Sequence, residues 1–162
     1  LDKLIEEAAA REAAVPAPFS VYIHGDFNVD NIIYDPDEDR IHFIDLHRSR
    51  YMDYVQDVSV FMVSNYRLQV LDRDTRRRIA EVTREFYRAA RSFARKQGDD
   101  TFEYRLALGL ARSFASSTRF IFDKSHARRM WLGARYLIER ALACPPGHEA
   151  RFRLQMEELF VD

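Results

Sequence analysis

Ile23-His24-Gly25-Asp26-Phe27-Asn28-Val29-Asp30-Asn31-Ile32-Ile33 is the stretch that organises the chain, and Phe43-Ile44-Asp45 completes it. Asn31 follows Asp26 by five positions, and Asp45 ends the next apolar run. An aspartate can accept a hydroxyl proton, and an asparagine with a second aspartate can hold Mg²⁺. Together these residue types form a candidate set for phosphoryl transfer.

Short apolar runs around these residues predict strands over 20–23, 31–34 and 41–44. Between the second and third runs, residues 35–39 are four acids and a proline, which is typical of a turn. The second and third strands would therefore form a β-hairpin. Asn31 would lie at its entrance and Asp45 at its exit, so the two candidate metal ligands would meet at one end.

Helical periodicity dominates the rest of the chain. It predicts helices over 1–14, over 54–71, from Asp72 or Asp74 to Gly98, from Thr101 onward, over about 125–143, and in a short segment through 152–159. The fold class expected is α+β and predominantly helical, in a single domain over 1–162. Its parts are a leading helix and linker (1–18), a catalytic and metal-binding segment (19–57) and a helical bundle (58–162).

The motif residues resemble the aminoglycoside phosphotransferase/choline kinase family. His24-Gly25-Asp26, Asn31 and Ile44-Asp45 stand at that family's spacing, and Val55-Gln56-Asp57-Val58 is similar to its Tyr-Gln-Asp-Leu segment. The resemblance covers roughly residues 19–62. It implies the C-terminal lobe of a protein-kinase-like fold, with the metal site carried by the hairpin.

Roles follow from this resemblance, position by position. Asp26 would accept or orient the proton of the attacking hydroxyl, and Asn31 and Asp45 would bind Mg²⁺. Asp57 would accept backbone N–H groups of the 24–26 turn.

Gly25 and His24 are expected to support the 24–26 turn structurally, and the role of Arg48 is left open. Gly25 suits a tight turn, and His24 is interpreted as a packed, hydrogen-bonded histidine. Arg48 is either a phosphate contact or an ordinary surface arginine.

The sequence also departs from the family pattern. Asn28, Asp30 and Leu46 replace the histidine, small residue and aromatic common in relatives. Nothing before residue 20 resembles a Gly-rich strand-turn-strand, and Lys3 lies in a predicted helix. The resemblance therefore implies that an N-terminal nucleotide lobe belongs to the same parent chain, and that this segment without it has little or no kinase activity.

Charge is unevenly distributed although the net charge is −1. Residues 1–57 carry 13 acidic and 5 basic side chains, whereas residues 58–162 carry 13 acidic and 20 basic side chains. We expect most of the arginines to face solvent on helices. The basic half favours a neutral or anionic substrate over a cationic one, and nucleic acid ranks lowest among partners.

Cysteine content and hydropathy bear on the compartment. Cys144 is alone, which excludes an intrachain disulfide and favours a reducing cytoplasm. No apolar run is long enough to cross a bilayer, so no membrane partner is expected.

Three function classes remain open, of which a basic helical domain that binds nucleic acid ranks lowest. The first is a kinase of a small-molecule hydroxyl that uses ATP, or GTP, with Mg²⁺. The second is a non-catalytic binding or regulatory module that keeps this lobe. A protein kinase is disfavoured, because only eleven residues separate Asp45 from Asp57 and leave no room for a long activation segment.

Overall fold

Helices follow the periodic segments of the sequence, and short strands surround the motif. A computed structural model describes residues 2–70 and 72–159. The helices are α1 (Asp2–Ala14), α2 (Val55–Arg67), α3 (Arg73–Lys96), α4 (Phe102–Ser117), α5 (Lys124–Ala143) and α6 (Met156–Leu159). The strands are β1 (Val21–Ile23), β2 (Ile32–Asp35), β3 (Arg40–Phe43) and β4 (Arg50–Met52). This is the expected α+β class.

The predicted hairpin is present. β2 pairs antiparallel with β3, in a register that sets Ile32 opposite Phe43 and Asp35 opposite Arg40. The Ile44 N–H donates to the carbonyl of Asn31 at 3.1 Å, one residue beyond the ladder. The entrance and exit of the hairpin are therefore joined directly.

A second two-stranded sheet was not predicted. β1 pairs antiparallel with β4, with Ile23 opposite Arg50. The strand over 20–23 was expected to be buried, but only Ile23 is, whereas Tyr22 is 66% exposed and packs edge-on against Tyr51 of β4. This pairing holds β1, which leads into the motif, against β4, which follows it.

The core is built around α4, which is buried on nearly every side. Its central side chains pack against α2 and α5, and the α5 contribution comes from Met130, Ala134, Leu137 and Ala141. α2 approaches α4 closely at Gly109, where a Cβ would meet Val55 Cγ1 at 3.0 Å. Beside it, the hydroxyls of Ser59 and Ser113 share a buried hydrogen bond of 3.1 Å.

Several expected helix boundaries shift. The helix predicted to begin at Tyr54 begins at Val55 and ends at Arg67, four positions before the predicted end. Leu1 and Leu71, the ends of two predicted helices, lie outside the described residues. Among the residues described, no helix has the length and apolarity required to span a membrane.

Candidate active site

The turn at Gly25 sets the geometry of the site. Gly25 has φ +85°, in the left-handed region that favours glycine. A Cβ there would lie 2.8 Å from the carbonyl carbon of Arg48 and would overlap its carbonyl oxygen. Glycine thus allows the turn to pack directly on the segment after Asp45.

Asp57, in the first turn of α2, fixes the same turn. Its carboxylate accepts the N–H of His24 at 2.7 Å and the N–H of Gly25 at 2.9 Å. Burial raises the pKa of Asp57, and the two backbone donors oppose that rise because they favour the charged form. The carboxylate thereby connects the 24–25 turn to α2.

The His24 ring ties the turn to the hairpin. Its Nε2 lies 2.9 Å from the carbonyl oxygen of Ile44, and its Nδ1 accepts the backbone N–H of Asp26 at 3.3 Å. These partners assign the proton to Nε2, since a carbonyl oxygen can only accept. The Ser49 hydroxyl donates to the His24 carbonyl at 3.2 Å. His24 is therefore a structural link, as the sequence suggested.

The Asp26 carboxylate is held by two donors on opposite oxygens. Asn28 Nδ2 donates to Oδ1 at 3.2 Å, and Arg48 Nη1 donates to Oδ2 at 3.1 Å. The side chain remains 27% exposed, so it is accessible to a substrate. Asn28, which departs from the family pattern, thus contacts Asp26 directly, and its Oδ1 also accepts the N–H of Asp30 at 2.9 Å.

Asn31 lies in the short 3₁₀ turn before β2 and is buried. Its Nδ2 donates to the backbone carbonyl of Asp26 at 2.9 Å. This bond fixes the orientation of the amide and leaves Oδ1 as the atom that can bind a cation. The Asn31 carbonyl accepts the N–H of Ile44, so Asn31 connects Asp26 with the end of the hairpin.

Asp45 follows the hairpin in a left-handed backbone conformation, with φ 60° and ψ 51°. Its Oδ1 lies 2.5 Å from His47 Nδ1, and its side chain is half exposed. No group of three or more His, Cys, Asp or Glu side chains suited to a metal occurs in the described part of the chain. Two oxygen-bearing side chains, Asn31 and Asp45, nevertheless fit Mg²⁺, because phosphate and water oxygens can complete its octahedron.

Phe27 anchors the loop on its apolar side. Its ring packs against Phe43 of β3 at 5.6 Å, Phe61 of α2 at 5.5 Å and Phe86 of α3 at 6.1 Å between centroids. Ser64 adds a polar contact, since its hydroxyl accepts the N–H of Val29 at 3.1 Å. The loop is therefore held from the hairpin, α2 and α3 together.

A buried charge network lies beneath the start of α2. Arg105 of α4, 3% exposed, pairs with Asp53 at 2.5 Å and with the fully buried Asp99. Tyr54 donates to Asp99 at 2.6 Å. Burial acts to lower the pKa of Arg105, but the two carboxylates outweigh it and raise the pKa above its usual value. Burial also raises the pKa of Tyr54.

Asp53 directly precedes Tyr54, the N-cap position of α2. Its carboxylate accepts the Val55 N–H at 3.0 Å and pairs with Arg105. Arg105 departs from the expectation that arginines face solvent.

Two cavities flank this region. One, of about 640 Å³, contains Gly25 and Arg48 in its wall. A larger one, of about 1010 Å³, lies where α2 ends and α3 and α5 begin, and none of the predicted site residues lines it. The smaller cavity is therefore the one that adjoins Asp26.

Comparison with known families supports what the motif suggested. The phosphotransferase enzyme family matches residues 1–95, more than half of the chain. This chain is a member of that family. The match confirms the resemblance and extends it from the expected 19–62 to include α1 and nearly all of α3. Searches of curated proteins and of solved structures gave no match.

The structure brings the predicted site residues together around the 24–26 turn and one end of the hairpin. The sequence analysis missed three contacts: the hydrogen bond from Asn28 to Asp26, the contact of His47 with Asp45, and the ion pairs of Arg105 beneath α2. The signal for Asn28 was its departure from the family pattern two residues after Asp26. The other two depend on tertiary contacts.

Proposed function

We propose that this phosphotransferase transfers the γ-phosphoryl group of ATP to a hydroxyl of a small molecule, with Mg²⁺ bound by Asn31 and Asp45. The observation that supports this is one continuous set of hydrogen bonds. Asn31 donates to the Asp26 carbonyl and accepts from Ile44, the residue before Asp45. The proposed base is thereby linked by hydrogen bonds to one proposed metal ligand and to the neighbour of the other.

In the proposed reaction, the substrate hydroxyl oxygen attacks the γ-phosphorus. The bond from that phosphorus to the β,γ-bridging oxygen breaks, which gives ADP and a phosphate ester, and the hydroxyl proton passes to the Asp26 carboxylate. Asn28 and Arg48 keep that carboxylate oriented, and orientation matters more than basicity for a loose transition state. Bound Mg²⁺ would neutralise phosphate charge.

Arg48 has a second proposed role. One guanidinium nitrogen is engaged with Asp26, and the side chain is 58% exposed. Arginine has five N–H donors, so those not engaged with Asp26 can contact a phosphate oxygen.

A nucleotide-binding lobe is part of the proposal. The hairpin and the residues just after it expose several apolar side chains, namely Ile33, Tyr34, Ile41, Phe43, Ile44 and Leu46. Tyr34 and Ile41 lie opposite each other in the ladder and share one face, and exposed apolar surface of this kind is typical of an interaction site. A lobe bound there would cover the adenine of the nucleotide. Its contacts to that ring would set the preference for ATP over GTP. We place the reaction in the cytoplasm, where the donor nucleotide is abundant.

The experiment that tests this proposal uses the native gene product with γ-³²P-labelled ATP or GTP, Mg²⁺ and a panel of small alcohols. We expect label to appear in an organic phosphate ester and to be lost in Asp26→Asn. Asp37→Asn, in the exposed hairpin turn, is the matched control and should retain full activity. Nucleotide binding without transfer to any hydroxyl would contradict the proposal and favour a non-catalytic module.

A further inference from the structure

Several basic side chains line the cavity near Asp26. Its volume is about 640 Å³, and its wall includes Arg48, Arg50, Arg112 and His47. None of the described residues that line it is an aspartate or a glutamate. Arg48 pairs with Asp26, Arg112 pairs with Glu12, and His47 contacts Asp45. The excess positive charge in the wall therefore comes mainly from Arg50, and it favours an anion over an amine.

The cavity adjoins the proposed reaction centre. Gly25 and Arg48 lie in its wall, and Arg48 Nη1 is 3.1 Å from Oδ2 of Asp26. Gln56 also lines it and is the neighbour of Asp57, whose carboxylate holds the 24–25 turn. A molecule in the cavity would therefore contact residues that adjoin Asp26 in sequence (Gly25) or hold its carboxylate (Arg48).

Two of these arginines, Arg50 and Arg112, make no hydrogen bond to the Asp26 carboxylate. Arg112 of α4 is fixed by Glu12 of α1 and by Gln56 Oε1, which lies 3.0 Å from its Nη2. Arg50 of β4 donates to the sulfur of Met52 at 3.4 Å, a weak acceptor. No carboxylate in the described part of the chain lies within ion-pair distance of Arg50. Arg50 thus has the guanidinium that is best able to bind an incoming anion.

We infer that this cavity binds an anionic group of the acceptor substrate, with Arg50 as the principal contact and Arg112 as its support. The substrate class is then a small alcohol that also carries a carboxylate or a phosphate, that is, a hydroxy acid or a hydroxyl-bearing phosphate ester. This inference rests on the proposed function. The charge distribution in the sequence left both neutral and anionic substrates open, and this inference selects an anionic one.

The test is direct binding without nucleotide, which is independent of transfer. We would titrate the native gene product with glycerol, glycerate and glycerol 3-phosphate, three probes that share a carbon skeleton, and follow the ¹⁵N–¹H signals of the arginine Nε groups by NMR. We expect glycerate, glycerol 3-phosphate or both to shift the Arg50 and Arg112 signals, and glycerol to leave them unchanged. Comparison of the two anions distinguishes a carboxylate from a phosphate.

Variants complete the test. Arg50→Gln should weaken binding of the anion about tenfold or more, because a charge-assisted hydrogen bond is lost. Arg50→Lys should retain most of the affinity for the anion. That result would show that the weaker binding of Arg50→Gln does not come from a folding defect. Arg95→Gln, at an exposed position in the last turn of α3, is the matched control and should bind as the unmodified protein does.

The outcomes separate the two ideas. Equal binding of glycerol and the anions, or equal effects of Arg50→Gln and Arg95→Gln, would overturn the inference about the cavity. Phosphorylation of neutral alcohols in preference to hydroxy acids would also overturn it, while leaving the proposed function intact. Arg50-dependent anion binding without transfer to any hydroxyl would leave the anion site established and contradict the proposed function.

Discussion

Replacement of Arg105 by glutamine is the perturbation whose effect the structure defines best. The guanidinium is 3% exposed and pairs with Asp53 and with Asp99, whose side chain is fully buried. In Arg105→Gln, Asp99 would keep the Tyr54 hydroxyl at 2.6 Å and a long contact with Thr101 at 3.4 Å, but it would lose its counter-ion. A buried carboxylate without a cation is strongly destabilising.

The expected cost is about 3–5 kcal/mol in the free energy of unfolding, which is typical when one partner of a buried ion pair is removed. That is a large share of the roughly 5–15 kcal/mol that stabilises a domain. Urea unfolding followed by circular dichroism measures the difference. Arg95→Gln, on an exposed helical surface, should stay within about 0.5 kcal/mol of the unmodified protein.

A double variant identifies the cause. Arg105→Gln combined with Asp99→Asn removes the unpaired charge as well, so it should recover part of the lost stability. A loss below about 1 kcal/mol in the single variant would refute the reasoning. So would a double variant no more stable than the single one, because the cost would then not come from an isolated carboxylate.

Three further predictions concern the loop and the metal. Gly25→Ala should destabilise the fold by about 2 kcal/mol or more, since its φ of +85° is strained for alanine and a Cβ overlaps the Arg48 carbonyl; urea unfolding checks it, and an unchanged midpoint would contradict it. Asn28→Ala should lower kcat about tenfold or more with little change in the KM for the acceptor, because it releases one oxygen of the Asp26 carboxylate. Steady-state kinetics measures both constants, and an unchanged kcat would contradict this role of Asn28. Mn²⁺ added with a non-hydrolysable ATP analogue should broaden the amide NMR signals of Asn31 and Asp45 but not those of α5, and Asp45→Asn should reduce the effect; uniform broadening would argue against the site.

The hairpin and its two ends could be predicted from sequence because they depend on local patterns. Apolar runs of four residues, a turn made of acids and a proline, and polar residues at both ends specify the geometry within about fifteen positions. The Asp57 contacts to the 24–25 turn followed from the family resemblance rather than from the pattern itself. The observed bonds of 2.7 and 2.9 Å lie in the expected turn.

Features that depend on distant contacts were not predictable. β4 is three residues long and mixes Arg50 with Tyr51 and Met52, so it has no alternation, and its partner β1 lies 27 or more positions earlier along the chain. Arg105 looks like any other helical arginine until the fold brings Asp53 and Asp99 to it. The basic cavity is similarly assembled from β4, the first turn of α2, and α4.

The most direct test of phosphoryl transfer at this site compares catalysis and nucleotide binding in Asp26→Asn and Asp45→Asn of the native gene product. If Asp26 accepts the proton and Asp45 holds Mg²⁺, Asp26→Asn should lose transfer and still bind Mg-ATP by calorimetry. Asp45→Asn should lose both. Near-normal turnover in Asp26→Asn would contradict the assignment of this carboxylate as the base.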